Sequence, residues 1–345
     1  MTRRPNPHQA SCAAFWLKAL AEALESEGLD VPALFAEAGL ELAALKDPDR
    51  RFPSDKVDQL WQLALARSGN PTLGLASSRI AKPASFDVVA YAMMSAPTLL
   101  GVLERMSRYI RIFNDAALVT VSEDAEGFRI ILEIYAGKQP VPWQRFGFDL
   151  MTFLTFCRWV TARDIRPIAL ELTVAPATDL EPYREAFNCP LRFDAPANAL
   201  LLSRADAMLA LPTAHRMLAE VHEAIADEQV RQVSPPPASL RVRSFLTRRL
   251  PDGEPTRAAV AAAMAMSERT LHRRLEAEGT SFLKILDNTR RELAERYMDR
   301  QDLSLAEIAF LLGFSDQSSL FRASKRWFGT SPGQRRGQTA VKPGS

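Results

Sequence analysis

Arg269, His272 and Arg273 stand at i, i+3 and i+4, the spacing that puts side chains on one face of a helix. Gln317, Ser318, Phe321 and Arg322 repeat that spacing about fifty residues later. The chemistry open to these types is recognition of base edges. An arginine fork matches guanine O6 and N7, glutamine matches adenine N6 and N7, and a phenylalanine ring touches the thymine methyl. Arg269 and Arg273 are the leading base readers of the first group, with His272 between them. Nearby Lys325, Arg326, Arg335 and Arg336 suit phosphates, which position a protein on a duplex without specifying sequence.

The segments that must carry these side chains are duplicated. Thr256 to Ala261 (TRAAVA) matches Ser304 to Ala309 (SLAEIA) at an offset of 48, with capping hydroxyl, apolar position and alanine coinciding. Leu271 and Arg273 match Leu320 and Arg322 at an offset of 49, and Gly279-Thr280-Ser281 matches Gly329-Thr330-Ser331 at 50. Each drift by one is a single insertion in a turn. A repeat of about 50 residues, each copy a helix, short turn, second helix and Gly-Thr-Ser exit, has the form of two helix-turn-helix units in tandem. In the first copy Leu271 and Leu275 face inward with Val260 and Met264, and Ser267 is the expected N-cap. Arg269, His272, Arg273 and Glu276 are left on the outer face. In the second copy Asp316 or Ser315 caps and Leu320 packs inward.

Charge follows the same division. Residues 1-237 hold 24 Lys and Arg against 29 Asp and Glu, a net of −5, while residues 238-345 hold 19 against 12, a net of +7. The surplus cation lies where a polyanion would be met. Ser234-Pro235-Pro236-Pro237 breaks the chain at the same place, because consecutive prolines hold it extended and remove backbone donors. After the break the pattern predicts seven helices: 240–250, 256–264, 268–278, 282–300, 305–312, 317–328 and one from Pro332. Turns of a few residues suit a compact all-α bundle.

Before the break the periods are mixed. Amphipathic helices are expected over 14–27, 57–66 and 98–113, and 117–122 with 128–135 reads as a hairpin. A mostly apolar helix is expected over 146–161, a strand over 168–174, a helix over 180–187, and a second short strand pair from 191–193 with 200–203. Helices beside a small, largely antiparallel sheet make this half α+β. Residues 213–231 form a helix with Met217, Leu218, Val221, Ala224 and Ile225 on one side, placed to lead the linker or line a subunit interface.

Other classes fit poorly. No apolar run is long enough for a membrane span or signal peptide, so a cytoplasmic protein is expected. Cys12, Cys157 and Cys189 are odd in number and widely spaced, as expected of reduced cysteines, and neither a metal site nor a cofactor is expected. No nucleotide loop or hydrolase motif is present, and His8, His215, His222 and His272 never pair at ligand spacing. The chain is therefore read as no enzyme. A DNA-repair enzyme would need a reactive cysteine in a Pro-Cys-His setting, which is lacking. An architectural DNA binder would have no use for a large acidic α+β half.

From about Leu240 to Arg336 the sequence resembles the AraC/XylS family of bacterial transcription regulators, most closely in 305–320 (LAEIAFLLGFSDQSSL) and 328–332 (FGTSP). The resemblance implies two helix-turn-helix units joined by the long helix 282–300, entering successive major-groove segments of double-stranded DNA. It also implies base or backbone contacts from the two groups above. Ser324 departs from the usual Phe, and Arg335 from a common aromatic, both on the packing side. Upstream, 69–75 (GNPTLGL), 95–99 (SAPTL) with 105–114, and 189–193 (CPLRF) are similar to the amino-terminal domain called arabinose-binding-like in one subgroup. That similarity implies sensing of a small-molecule effector of unknown identity, formation of a homodimer and, for an activator, contact with RNA polymerase. Tyr109, Arg111, Trp143 and Arg145 are the pocket candidates. The expected organisation is a segment 1-24, a sensing and dimerisation domain 25-210, a helix and linker 211-237, a DNA-binding domain 238-338 and a tail 339-345.

Overall fold

The computed structural model describes residues 10–75, 86–134, 141–174, 181–233, 237–300 and 302–339, and the chain divides into two compact units between Pro236 and Pro237. Ser234, Pro235 and Pro236 of the expected linker, and residues 340–345 of the expected tail, lie outside the described residues.

The first unit begins with β1 (Ser11–Ala13), α1 (Ala14–Ser26), α2 (Val31–Glu37), β2 (Arg51–Pro53) and α3 (Ser54–Ser68). β1 and β2 pair antiparallel, with Cys12 opposite Phe52. Asp30 starts α2 by accepting the Ala33 N–H at 3.0 Å, and Gly69 ends α3 in the left-handed region. Leu17, Leu20 and Leu24 of α1 are buried with Leu34, Phe35, Leu60 and Trp61 of α2 and α3. The expected boundary at residue 24 therefore falls inside α1. Its apolar face has no other place to go, so residues from Ser11 on belong to the domain.

Next come α4 (Asp87–Met94), α5 (Leu99–Phe113), β3 (Ala117–Glu123), β4 (Phe128–Ile134), α6 (Trp143–Thr161), β5 (Ala169–Glu171), α7 (Glu181–Phe187), β6 (Leu191–Arg192), β7 (Asn198–Leu202), the short α8 (Arg204–Ala207) and α9 (Arg216–Gln232). The sheet runs β3-β4-β7-β5-β6, antiparallel except for the β5–β6 pair. β3 and β4 form the expected hairpin, Ala117 facing Ile134. The expected pairing of 191–193 with 200–203 does not occur: β7 lies between β4 and β5, and β6 takes the edge beyond β5. All five residues of β7 are buried, as a central strand requires, whereas the two residues of β6 are half-buried.

α9 is turned against its own composition. Arg105 binds Glu223, Arg108 binds Asp227 at 2.8 Å, and Tyr109 donates to Asp227 at 2.9 Å, so its acids face α5. Met217, Leu218, Val221 and Ile225 are left 46–70% exposed.

The second unit is α10 (Ala238–Arg249), α11 (Arg257–Ala263), α12 (Glu268–Ala277), α13 (Phe282–Asp299), α14 (Leu305–Leu311), α15 (Gln317–Phe328) and α16 (Pro332–Thr339), matching the seven expected spans within a few residues at each end. Leu246, Val260, Leu271, Leu275, Leu293, Ile308, Leu312 and Leu320 form one contiguous core shared by both copies of the repeat.

Candidate nucleic-acid interface

In the first copy Thr256 caps α11 by accepting the Ala259 N–H at 3.1 Å, and Ser267 caps α12 by accepting that of Thr270 at 3.2 Å. Leu271 and Leu275 fix the inward stripe of α12 at near-zero exposure. With those two positions committed, helical geometry turns Arg269, His272, Arg273 and Glu276 outward, and all four are exposed.

The second copy is built alike, with stronger caps. Ser304 accepts the Glu307 N–H while the Glu307 carboxylate accepts the Ser304 N–H at 2.7 Å, a reciprocal capping box. Of the two cap candidates Asp316 is the one used, its carboxylate accepting the Ser319 N–H at 2.8 Å; that bond holds the carboxyl below its ordinary pKa. Leu320, Ala323 and Ser324 are buried, Gln317, Ser318 and Arg322 are exposed, and Phe321 is half-buried. Arg322 donates to the Ser319 hydroxyl at 3.0 Å.

The structure adds a further correspondence between the copies. Arg241 of α10 donates to the Met264 carbonyl at 3.3 Å, and Arg290 of α13 donates to the Leu312 and Gly313 carbonyls at 2.8 and 2.7 Å. The arginines are 49 residues apart and the first carbonyls 48, the same offsets as the rest of the duplication. Each copy is thus three helices, the first sending an arginine to the turn between the other two. In the sequence the signal is the 49-residue spacing of Arg241 and Arg290, which by itself does not name the carbonyls they bind.

The four phosphate candidates divide. Lys325 and Arg326 are exposed, Arg326 forming an ion pair with Asp287 at the surface. Arg335 is half-buried, paired with Glu295 at 3.0 Å and lying over the Phe328 ring at 4.9 Å. Arg336 donates to the Arg300 carbonyl at 3.1 Å and to that of Leu303, where it satisfies the chain leaving α13. Arg335 and Arg336 are thus both engaged by partners within the unit, and Arg336, bonded to two backbone carbonyls, supports the fold there. Ser324, where an aromatic was expected, donates to the Thr330 carbonyl at 2.9 Å, which satisfies its own buried hydroxyl.

In the first unit the four pocket candidates have other partners. Tyr109 holds α9 through Asp227, Arg111 donates to the Val233 carbonyl at 2.7 Å, Trp143 packs on Tyr183 at 5.1 Å, and Arg145 is buried in an ion pair with Asp58. None lines an apolar cleft found among the described residues of this unit, whose walls include Trp16, Phe86, Phe113, Phe153, Asn114 and Asp149.

Residues 28–211 match the family model described as the arabinose-binding domain of AraC transcription regulators, N-terminal, and residues 260–338 match a helix-turn-helix domain model. The chain belongs to the AraC-type transcription regulators. It is 30% identical over 287 residues to the HTH-type transcriptional regulator VirS of Mycobacterium tuberculosis, covering 82% of this chain and 84% of that one. It is 27% identical over 329 residues to the ornithine utilization regulator of Pseudomonas aeruginosa, covering 92% and 94%. The crystal structure of the regulator CdpR of Pseudomonas aeruginosa aligns over 98% of this chain and all of that one, with 20% identity and a TM-score of 0.42. This AraC-type regulator is a DNA-binding protein with an amino-terminal ligand-binding domain. No helix among the described residues is long and apolar enough to cross a membrane.

Proposed function

We propose that the regulator reads a specific operator with both outer faces at once, α12 through Arg269, His272 and Arg273, and α15 through Gln317, Ser318, Phe321 and Arg322. Lys325 and Arg326 contact phosphates. The observation that carries this reading is the repeated frame. Two caps, one buried leucine (Leu271, Leu320) and an arginine-held turn recur at fixed offsets and leave Arg269 and Arg273, like Ser318 and Arg322, exposed at equivalent positions. Such a frame suits a second helix that enters the major groove. Footprinting on sites mapped genome-wide tests it. Arg273→Ala and Arg322→Ala should each weaken operator binding by about 1–3 kcal/mol and leave binding to random DNA unchanged. Equal affinity of the parent chain for operator and random DNA would instead support an architectural binder.

The first unit takes a small-molecule effector, and occupancy alters how the two copies lie on the operator in the cytoplasm. Where the effect on transcription is activation, RNA polymerase is the further partner. The regulator pairs as a homodimer through the exposed stripe of α9. Met217, Val221 and Ile225 are spaced symmetrically about Val221, and an antiparallel copy brings Arg216 toward the acidic second half of its partner helix. Val221→Asp should give a monomer by light scattering. A dimer of undiminished stability would remove α9 from the interface.

A further inference from the structure

Helix α6 carries a carboxylate into the interior of the first unit without giving it a partner. Asp149 is 8% exposed, and its Oδ1 is buried with no hydrogen bond. Arg145, the cation whose charge acts on it, is already bound to the buried Asp58. Burial pushes the Asp149 carboxyl up to about 7, against the pull of Arg145. An unpaired buried carboxylate is costly, and one that lines a cleft is a candidate ligand contact.

The cleft that Asp149 lines is otherwise aromatic. Trp16 lies 5.9 Å from both Phe86 and Phe113, those two rings are 5.6 Å apart, and Phe153 closes a further side. Open space at its mouth included, the cleft measures about 360 Å³, and its room for water-sized groups is about 20 Å³ in all, enough for a single small head group, so the body of a ligand would lie toward the mouth. An ammonium group is of that size. Electron-rich ring faces around one carboxylate attract a cation and repel an anion. Neutral polyols find too few partners here, since Asn114 and Asp149 are the polar members of the wall.

We infer that this cleft is the effector site, and that it takes a small apolar molecule bearing one protonated amine, whose ammonium group sits against Asp149 within the rings of Trp16, Phe86, Phe113 and Phe153. The inference rests on the proposal that the first unit senses a small molecule.

The test titrates the full chain with benzylamine, phenethylamine, cyclohexylamine and isobutylamine by calorimetry, with benzyl alcohol and benzoate as controls, and follows tryptophan fluorescence, the Trp16 part identified by its loss in Trp16→Phe. At least one amine should bind about tenfold or more tighter than benzyl alcohol, and benzoate should not bind. Asp149→Asn should remove the preference for the amine over the alcohol, with folding checked by thermal melting. Phe153→Leu, which leaves the carboxylate in place, should weaken both amine and alcohol. Absence of amine preference across the panel overturns the inference, as does a preference that survives in folded Asp149→Asn. Binding of operator DNA is measured in parallel. Amines that occupy the cleft without changing operator affinity would leave the site standing and overturn the sensing role. A response of operator affinity to a non-amine alone would do the reverse.

Discussion

The turn between the helices of the first copy puts Ala265 at φ +54°, and the equivalent place in the second copy holds Gly313 at φ +66°. The two residues are 48 apart, in register with the repeat. The conformation is therefore shared, and what differs is the surroundings. A side chain on Gly313 would meet the Leu250 carbonyl oxygen at 2.9 Å and the Leu250 side chain at the same distance. The second turn is packed onto the segment that ends α10 and is held from behind by Arg290. The first has one half-buried arginine, Arg241, on one carbonyl at 3.3 Å. One copy is wedged into the frame and the other sits at its margin. Sequence offsets alone make them look equivalent.

That contrast breaks first at Gly313. Gly313→Ala adds left-handed strain of about 1–2 kcal/mol to a contact with backbone that cannot swing away, so a loss of about 3 kcal/mol or more is expected in urea unfolding. A loss under about 1 kcal/mol would show that the second turn is not wedged. Arg290→Ala comes next. The side chain is 7% exposed, bonded to two carbonyls, paired with Glu254 at 2.9 Å and laid over Phe314 at 4.3 Å. Leaving buried acceptors unsatisfied should cost about 2–3 kcal/mol, whereas Arg241→Ala should cost about 1. Equal losses from the two arginines would erase the distinction between the copies.

On DNA the comparison is sharpened by salt. Lys325→Ala should lower the slope of log affinity against log salt by about 1 with no change in sequence preference. Arg336→Ala should leave that slope unchanged and lower stability, because its guanidinium is occupied by the Arg300 and Leu303 carbonyls. A reduced slope in a stable Arg336→Ala protein would return that residue to the phosphate group.

The reading helices also differ in how they respond to acid. α12 is capped by the Ser267 hydroxyl, which does not titrate, and α15 by the Asp316 carboxylate, whose pKa in the folded chain is depressed by the Ser319 backbone bond. A depressed carboxyl contributes stability that is complete above its unfolded value near 3.8 and is lost as pH falls through the lower folded value. Amide exchange at the start of α15 should therefore accelerate below about pH 4 relative to the start of α12. Asp316→Asn should make the two helices respond alike.

Much of this frame was open to reading because it is local. Caps, inward leucines and Gly-Thr-Ser exits are set by neighbours three or four residues away, so residues 256–336 could be placed from spacing alone. What lay beyond reach was set by contacts distant in sequence. β7 moves to the sheet centre because five buried residues need neighbours on both sides, and nothing in 198–202 names β4 and β5 as those neighbours. Arg335 and Arg336 sit in a basic run like any phosphate-binding pair, and their real partners, Glu295 and the 300–303 carbonyls, are some 33–40 residues away. Asp149 is the extreme case. Within an apolar helix it looked like one polar interruption, and its isolation becomes visible only when Arg145 is found bound to Asp58.

The smallest effect is the most discriminating. If the first turn has the conformation of the second without its crowding, Ala265→Gly should relieve left-handed strain and meet no packing change. The gain is offset in part by the added freedom of glycine in the unfolded chain, which costs about 0.5–1 kcal/mol. Against strain relief of about 1–2 kcal/mol, the net is a stabilisation of roughly 0.5 kcal/mol. Thermal melting should show a small rise for Ala265→Gly and a large fall for Gly313→Ala, opposite signs at equivalent positions of one repeat. A fall for both would mean that the first turn, too, depends on contacts its alanine makes, and that the two copies are supported more alike than their surroundings suggest.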